Sequence, residues 1–384
     1  VRLDELDYEL PAELIAQVPA EPRDASRLLV ARGAGAALAL DDRRFGELPA
    51  LLGSGDVLVR NDTRVIPARA HFRKPTGGRI ELLFLERRAQ PAAATPAAIA
   101  DPPVEVWEVL ARGRLRGGET LRSEAAPESF AVVVGEALGD GRWRVSPLAG
   151  LAQPVAWLLA RHGETPLPPY IRTALADPER YQTVYARLQG SAAAPTAGLH
   201  FTPELDDGLR RAGVVIEHLT LHVGLATFKP VTAARLEDHP LHEEPFVVDR
   251  AVWSRIAAAR AAGRRVVAVG TTMVRLLEEL GRAPLAATPA AGTPGAGLVE
   301  GRTGLFILPG HRFAVVDGVI TNFHLPRTSL LALVMAFCGV DETRRIYAHA
   351  VARRYRFYSF GDAMLAWGGG GEVAAAGGGV RGGR

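Results

Sequence analysis

Arg264-Arg265-Val266-Val267-Ala268-Val269-Gly270-Thr271-Thr272-Met273 decides the fold. The apolar run up to Val269 reads as a strand. Gly270-Thr271-Thr272 then turns it into a helix from Met273 to Leu280. The same alternation recurs on either side. Asp56-Val57-Leu58-Val59 is a buried strand running into the polar turn Asn61-Asp62-Thr63-Arg64. Pro203 to Ala212 is a helix with Thr202 as N-cap and Pro203 at its first position. Val214 to Val223 is a strand with Leu219, Leu221 and Val223 on one face and His218, Thr220 and His222 on the other. Arg250 to Ala262 is helical. Val319 to His324 is a strand, followed by Pro326 and a helix from Thr328 to Phe337. Asp341 caps a helix to Arg354. Ser26 to Val30, Phe306 to Leu308, Phe313 to Asp317 and Tyr355 to Phe360 read as further strands, and Leu3 to Ile15 as an acidic start with a short helix. Strands alternating with helices predict an α/β layered architecture.

From Ile66 to Leu148 the pattern changes. Short strands (Arg79 to Leu85, Val104 to Leu110, Phe130 to Val134, Trp143 to Val145) are separated by glycine hairpin signals at Gly77-Gly78, Gly117-Gly118 and Gly139-Asp140-Gly141. No helix lies between them, which predicts a small antiparallel barrel or sandwich. The domain expectation is therefore a discontinuous α/β unit, 1–65 with 149–367, interrupted by a β-barrel domain at 66–148. Ala89 to Pro103 and Ala283 to Gly297 are low-complexity loops, and the Gly-rich tail 368–384 is too poor in apolar residues to bury a core.

The 384 residues are 48% hydrophobic and 23% charged, a globular composition. The longest apolar run, Ser329 to Cys338, is about half the ~20 residues a membrane helix needs. No signal peptide is visible, and the single cysteine, Cys338, excludes an internal disulfide. A cytoplasmic protein without membrane contact is expected. Net charge is only +3, yet the cations are nearly all arginine, with lysine at Lys74 and Lys229 alone. Arginine suits phosphate and stacked bases, but an Ala-, Gly- and Arg-rich composition accounts for most of it.

The polar density lies between Gly163 and Lys229, which holds Pro168-Pro169-Tyr170, Tyr181-Gln182-Thr183-Val184-Tyr185, Ala194 to Thr202 and His218 to Gly224. Polar groups beside apolar strands need partners in the fold or in a ligand. His218 and His222 on a strand lie about 13 Å apart, too far to share a zinc ion. His239-Pro240-Leu241-His242-Glu243-Glu244 lacks an evident third ligand, so no metal is expected. Thr271-Thr272 places hydroxyls and free N–H groups at a helix start, a place for a carboxylate or phosphate, although a simple threonine cap is the commoner meaning of such a pair. Thr328-Ser329 repeats the arrangement. Tyr355-Arg356-Phe357-Tyr358-Ser359-Phe360 would stack bases if exposed and would be an aromatic strand if buried. No Gly-x-Gly-x-x-Gly, Walker or Gly-x-Ser-x-Gly motif is present. These features point to a cleft for an anionic, nucleotide-like ligand and leave the reaction open.

Together the runs resemble the S-adenosylmethionine:tRNA ribosyltransferase-isomerase family of queuosine biosynthesis, over nearly the whole chain. The resemblance is carried by Leu14-Ile15-Ala16-Gln17, Ser26 to Leu29, Asn61 to Arg69, Pro166 to Ile171, Tyr181 to Tyr185, Ala193 to Thr202, Pro309-Gly310 with Phe313, Thr321 to Pro326, Tyr355 to Phe357 and Gly361 to Met364. It implies a larger α/β domain interrupted by a β-barrel. It also implies that S-adenosylmethionine is a co-substrate, with no separate cofactor. Its ribosyl part passes to 7-aminomethyl-7-deazaguanine (preQ1) at the wobble position of a tRNA with a GUN anticodon. Epoxyqueuosine-tRNA, adenine and methionine are the products, and the enzyme is expected to act as a monomer. A non-catalytic tRNA-binding paralogue and an S-adenosylmethionine-dependent RNA methyltransferase are the alternatives.

Against that chemistry the sulfonium acidifies the adjoining ribose carbon, so a base must stand close by. His200, His222 or His324 is expected to serve, with Asp62 or Glu243 orienting it or sharing the proton, and another histidine protonating the departing adenine. Substrate contacts are expected from Asn61, Thr63, Arg64, Tyr181, Gln182, Pro195, Thr196, Gly198 and Asn322. Thr271 and Thr272 would take the methionine carboxylate, with Arg275 and Arg327 as charge partners. Four neighbours of these motifs depart from the family pattern: Arg60 for an aromatic or apolar residue, Leu225-Ala226 for Ala-Gly, Leu241 for methionine and Met273 for serine.

Overall fold

A large sheet and a closed barrel organise the chain in this computed structural model, which describes residues 1–88, 105–173, 175–224, 233, 235–239, 243–282 and 297–368. Leu225, the Thr227-Phe228-Lys229 segment, Leu241, His242, most of both low-complexity loops and all but the first residue of the tail lie outside the described residues.

The chain opens with β1 (Arg27–Arg32), β2 (Ala39–Arg44), α1 (Leu48–Leu51), β3 (Val57–Asn61) and β4 (Thr63–Val65). Then come β5 (Arg69–Arg73), β6 (Arg79–Arg88), β7 (Val106–Arg112), β8 (Thr120–Ser123), β9 (Ala131–Gly139) and β10 (Arg142–Pro147). The remainder holds α2 (Val155–His162), β11 (Leu188–Ser191), α3 (Pro203–Arg211), β12 (Val215–Leu221), β13 (Glu244–Asp249), α4 (Arg250–Ala261), β14 (Val266–Val269), α5 (Thr271–Arg282), β15 (Leu298–Thr303), β16 (Gly318–Asn322), α6 (Ser329–Cys338), α7 (Val340–Ala352) and β17 (Ala363–Trp367).

A nine-stranded sheet runs β15-β13-β12-β3-β14-β16-β17-β1-β2. Its centre, β12, β3, β14 and β16, is parallel, so the carboxyl ends of these strands open side by side, where α/β sheets place ligands. Alternate residues face two cores. Val57, Val59, Leu219, Leu221, Val266 and Ala268 pack with α5, α6 and α7. Leu58, Val267, Val269 and Ile320 pack with Leu48, Leu205 and Leu209 of α1 and α3. β5 to β10 close into a separate antiparallel barrel in the order β10-β7-β6-β5-β8-β9, filled by Phe72, Phe84, Trp107 and Phe130. Tight turns at Gly77 (φ +86°) and Asp140-Gly141 (φ +50° and +75°) make two of its hairpins. Val155, Leu158 and Leu159 of α2 complete the barrel core. A two-residue ladder, Arg69 N–H to Glu164 O at 3.1 Å and Glu164 N–H to Arg69 O at 2.7 Å, ties the barrel to the segment that follows α2.

Several sequence expectations need correction. Leu3 to Ile15 forms two separate 3-10 turns. Gly339 and not Asp341 precedes the first residue of α7. Phe306–Leu308 and Phe313–Asp317 are not strands; the strand of that region is β15, whose alternating polar sequence hides it and whose Gly301 lies against the Phe246 ring. Tyr355–Phe360 is not a strand either. Positive φ at Arg354 (+54°) and Tyr358 (+75°) coils it, and Tyr355 and Phe357 pack into the core against Phe323. The last strand is β17. Base stacking by Tyr355 and Phe357 is thereby excluded.

The departure at Arg60 is absorbed inside the fold. Its guanidinium makes two bonds to the Asp206 carboxylate, 2.6 and 3.0 Å, and a third contact to His218 Nε2 at 3.0 Å. It lies over the Tyr185 ring at 3.9 Å. The pair is buried, so removing one partner strands a charge. Asp206→Ala should cost about 3–5 kcal/mol in urea unfolding, whereas Arg60→Leu with Asp206→Leu should recover most of that loss.

Candidate functional site

Two strand ends, a turn and a corner of coil bring the polar segments together. β14 stops at Gly270, whose φ of +87° favours glycine. Its carbonyl accepts from Met273 and Val274 N–H at 3.1 and 3.3 Å. The first N–H groups of α5 therefore face outward with no intrahelical partner. β16 stops at Asn322, and Phe323 and His324 follow. The turn Thr196–His200 and the Tyr358-Ser359 corner close the space above. The result is a cavity of about 50 Å³ lined by Tyr170, Pro195, Thr196, Thr271, Thr272, Thr321, Asn322, Phe323, His324, Tyr358 and Ser359 together with small and apolar neighbours. Among the described residues, no Asp, Glu, Lys or Arg lines it.

Two buried oxygens in this wall, Thr272 Oγ1 and Asn322 Oδ1, have no hydrogen-bond partner, in residues 7% and 2% exposed. Unmet buried acceptors are costly, and both belong to residues that line the cavity. Aromatic walls add to the site: the Tyr170 and Tyr358 rings meet nearly perpendicular at 3.8 Å, and Tyr170 Oη lies 2.5 Å from Ser359 Oγ.

The histidines divide. His324 lines the cavity; its Nε2 is 2.9 Å from Thr321 Oγ1, and its backbone is held by Tyr347 Oη and Tyr8 Oη. Burial pushes its pKa down to about 3. His200 lies one layer behind, bonded through Nδ1 to Ser26 Oγ at 2.8 Å and through Nε2 to Asn322 Nδ2 at 3.2 Å. Burial, then the positive Arg356 and Arg23, pushes it down to about 3 as well. Both rings are neutral at working pH, so they do not repel a cation in the cavity. His222 is on the far side of β12. Its Nδ1 is 2.9 Å from Thr63 Oγ1, and its ring lies so close to Gly190 that a Cβ there would sit 2.8 Å away. Burial lowers its pKa against the opposing pull of Asp62.

Of the remaining sequence candidates, Pro195, Thr196, Thr271 and Thr272 reach the cavity. Asn61 ties β3 to β12, donating to Leu221 O and accepting from Leu221 N–H. Asp62 is buried between Arg187 and Thr220 Oγ1. Gln182 clamps the Val65 backbone through both amide atoms, Tyr181 packs on Phe360, and Gly198 gives room to Tyr185, whose Oη would lie 2.2 Å from a Cβ. Arg64 pairs with Glu179 on a separate cleft between barrel and sheet that Arg69 and Arg172 also line. The structure does not bring Glu243, Arg275 and Arg327 to the cavity. Glu243 is exposed and paired with Arg302. Arg275 is buried, bonded to Glu244 at 2.5 Å and to Leu305 O at 2.8 Å. Arg327 pairs with Asp7. Sequence reasoning missed Tyr170, Tyr358, Ser359 and Ser26 as site residues. The first lies in the dense polar run, Tyr358 and Ser359 lie in the aromatic run read as a strand, and Ser26 carries no local pattern that marks it.

Among the described residues, no helix is long and apolar enough to cross a membrane. The family model described as "Queuosine biosynthesis protein" matches residues 3–366. A Rubrobacter xylanophilus protein named S-adenosylmethionine:tRNA ribosyltransferase-isomerase is 50% identical over 376 residues, covering 96% of this chain and 99% of its own. A Moorella thermoacetica protein of the same name is 48% identical, covering 95% and 99%. The crystal structure of S-adenosylmethionine tRNA ribosyltransferase from Thermotoga maritima is similar at 35% identity and a TM-score of 0.51, over 94% of this chain and 99% of that one.

Because His200 and His324 are held neutral, with pKa values near 3 against 6.5 when unfolded, the unfolded chain binds more protons between those limits. Stability therefore falls as pH drops below about 6.5. Replacing His200 by Asn should reduce the slope of unfolding free energy between pH 6 and 5 by about 1 kcal/mol per pH unit, read by urea denaturation across the range. An unchanged slope would mean that the ring titrates normally.

Proposed function

The chain belongs to the queuosine biosynthesis protein family, and from that premise we propose that it is an S-adenosylmethionine:tRNA ribosyltransferase-isomerase. In this reading it moves the ribosyl part of S-adenosylmethionine onto preQ1 at the wobble position of a tRNA with a GUN anticodon. It isomerises that part to the epoxycyclopentanediol of epoxyqueuosine and releases adenine and methionine. It acts in the cytoplasm as a monomer.

The observation that carries the reading is the uncharged cavity at the start of α5 with the partnerless Thr272 Oγ1. A carboxylate there meets free N–H groups and the positive end of the helix, which suits the methionine end of the co-substrate. The sulfonium then lies among Tyr170, Phe323 and Tyr358, where ring faces attract a cation and no protonated histidine opposes it. His324 is the cavity histidine and the candidate base. With Nε2 engaged by Thr321, Nδ1 is the nitrogen left to take the proton from the ribose carbon next to sulfur. The imidazolium so formed is the donor for the departing adenine. His222, with Asp62 and Thr63 beside it, stands outside this space and is assigned to holding the ends of β3 and β12 together.

Chromatography of a reaction with S-adenosylmethionine and preQ1-containing tRNA tests the reaction. Adenine and methionine should appear in equal amounts. S-adenosylhomocysteine would instead indicate a methyltransferase, and unchanged co-substrate a tRNA-binding protein without catalysis. Thr272→Val should raise the KM for S-adenosylmethionine about 10-fold with a smaller change in kcat, the loss expected for one hydrogen bond to a charged group. A kcat effect alone would move Thr272 out of the binding role.

A further inference from the structure

The orientation of the Asn322 amide is dictated by its neighbours. The Tyr358 carbonyl oxygen, 3.1 Å away, only accepts, so the amide atom facing it is Nδ2. The same Nδ2 lies 3.2 Å from His200 Nε2, which must therefore present its lone pair. The ring proton is then on Nδ1 and is donated to Ser26 Oγ. The ring is stacked on Phe45 at 4.8 Å, which restrains it from turning away. Both Nδ2 hydrogens are spent, and Oδ1 is left as a buried acceptor without a donor. His200 thus has both nitrogens committed to aiming Asn322, and neither is free to take a proton from a substrate.

The missing donor shares its cavity with Thr272 Oγ1 and the start of α5. A site that offers N–H groups to an anion and, beside them, an acceptor to an N–H group matches the head of an α-amino acid. The volume agrees. At roughly 10–15 Å³ per water-sized group, about 50 Å³ holds a few heavy atoms, the size of such a head and less than a purine. The charge agrees too, since a zwitterionic head brings no net charge to a wall whose described residues carry none. Resting on the function proposed above, we infer that Asn322 Oδ1 accepts from the α-ammonium of the methionine end of S-adenosylmethionine, and that His200 is the positioning residue that holds it there.

Titration calorimetry on the full chain tests this with three ligands: S-adenosylmethionine, its analogue without the α-amino group, and its analogue without the purine amine. The wild-type chain should bind the first about 10- to 100-fold tighter than the second, the range for a hydrogen bond to a charged group. Asn322→Ala should lose that factor for S-adenosylmethionine and bind the desamino analogue as before. His200→Ala should raise the KM for S-adenosylmethionine more than it lowers kcat, leave the acid limb of the pH–rate profile in place, and add nothing in the Asn322→Ala background. A penalty that follows the purine amine, or one equal for all three ligands, overturns the assignment of Asn322. A displaced acid limb in His200→Ala overturns the positioning role. No binding of S-adenosylmethionine by the wild-type chain would overturn the proposed function itself, a different result from binding that ignores the ammonium. The wild-type comparison needs no variant, so a misfolded Asn322→Ala does not shelter the inference.

Discussion

Backbone N–H groups at the start of a buried helix must bond to something, and at α5 no described residue supplies a backbone partner for the first two. That constraint shapes the surroundings. Gly270 takes a positive φ so that its carbonyl closes the first turn while the following N–H groups open into the cavity. Parallel pairing of β3, β14 and β16 brings Asn322 alongside. The coil through Tyr358, which a strand there would have prevented, folds an aromatic ring and a carbonyl over the same space. A helix start, an oriented amide and two tyrosines are thus drawn from segments far apart in the chain.

The site uses burial where many sites use charge. His200 and His324 lie deep enough to stay uncharged, and the arginine that begins near the site, Arg275, turns away to a buried pair with Glu244. The chain keeps another buried ion pair, Arg60 with Asp206, on the opposite core face under Tyr185. A neutral wall of hydroxyls, amide and rings suits a ligand that carries its own positive sulfonium, because any fixed cation would repel it and any fixed carboxylate would compete for the helix start.

Much of this was legible in the sequence, for physical reasons that differ by element. α3 is marked by the Thr202-Pro203 start, which stands where the helix begins. The barrel shows in its glycine turns. β15 was illegible because an edge strand facing water carries Leu298-Val299-Glu300-Gly301-Arg302-Thr303 with no apolar face. Tyr355–Phe360 misled because alternating aromatics fit a strand as well as a coil that plugs a core. Of the site, Thr271 and Thr272 could be picked as the polar end of an apolar strand, whereas Asn322 and His324 came only with the family resemblance. Arg275 could not be excluded, since its partner Glu244 lies 31 residues earlier. Nor could the role of His200 be read, since it depends on Ser26 and Tyr358, distant in sequence and brought together only by the fold.

The central claim is that S-adenosylmethionine binds at the carboxyl ends of the parallel strands, between the start of α5 and the Asn322–His324 segment. A crystal structure of the chain with S-adenosylmethionine bound tests it most directly. The account predicts the methionine carboxylate against the Thr271 and Thr272 N–H groups, with the sulfonium between Tyr170 and Tyr358. A co-substrate found instead beside His222 and Asp62, or in the cleft lined by Arg69 and Arg172, would contradict it.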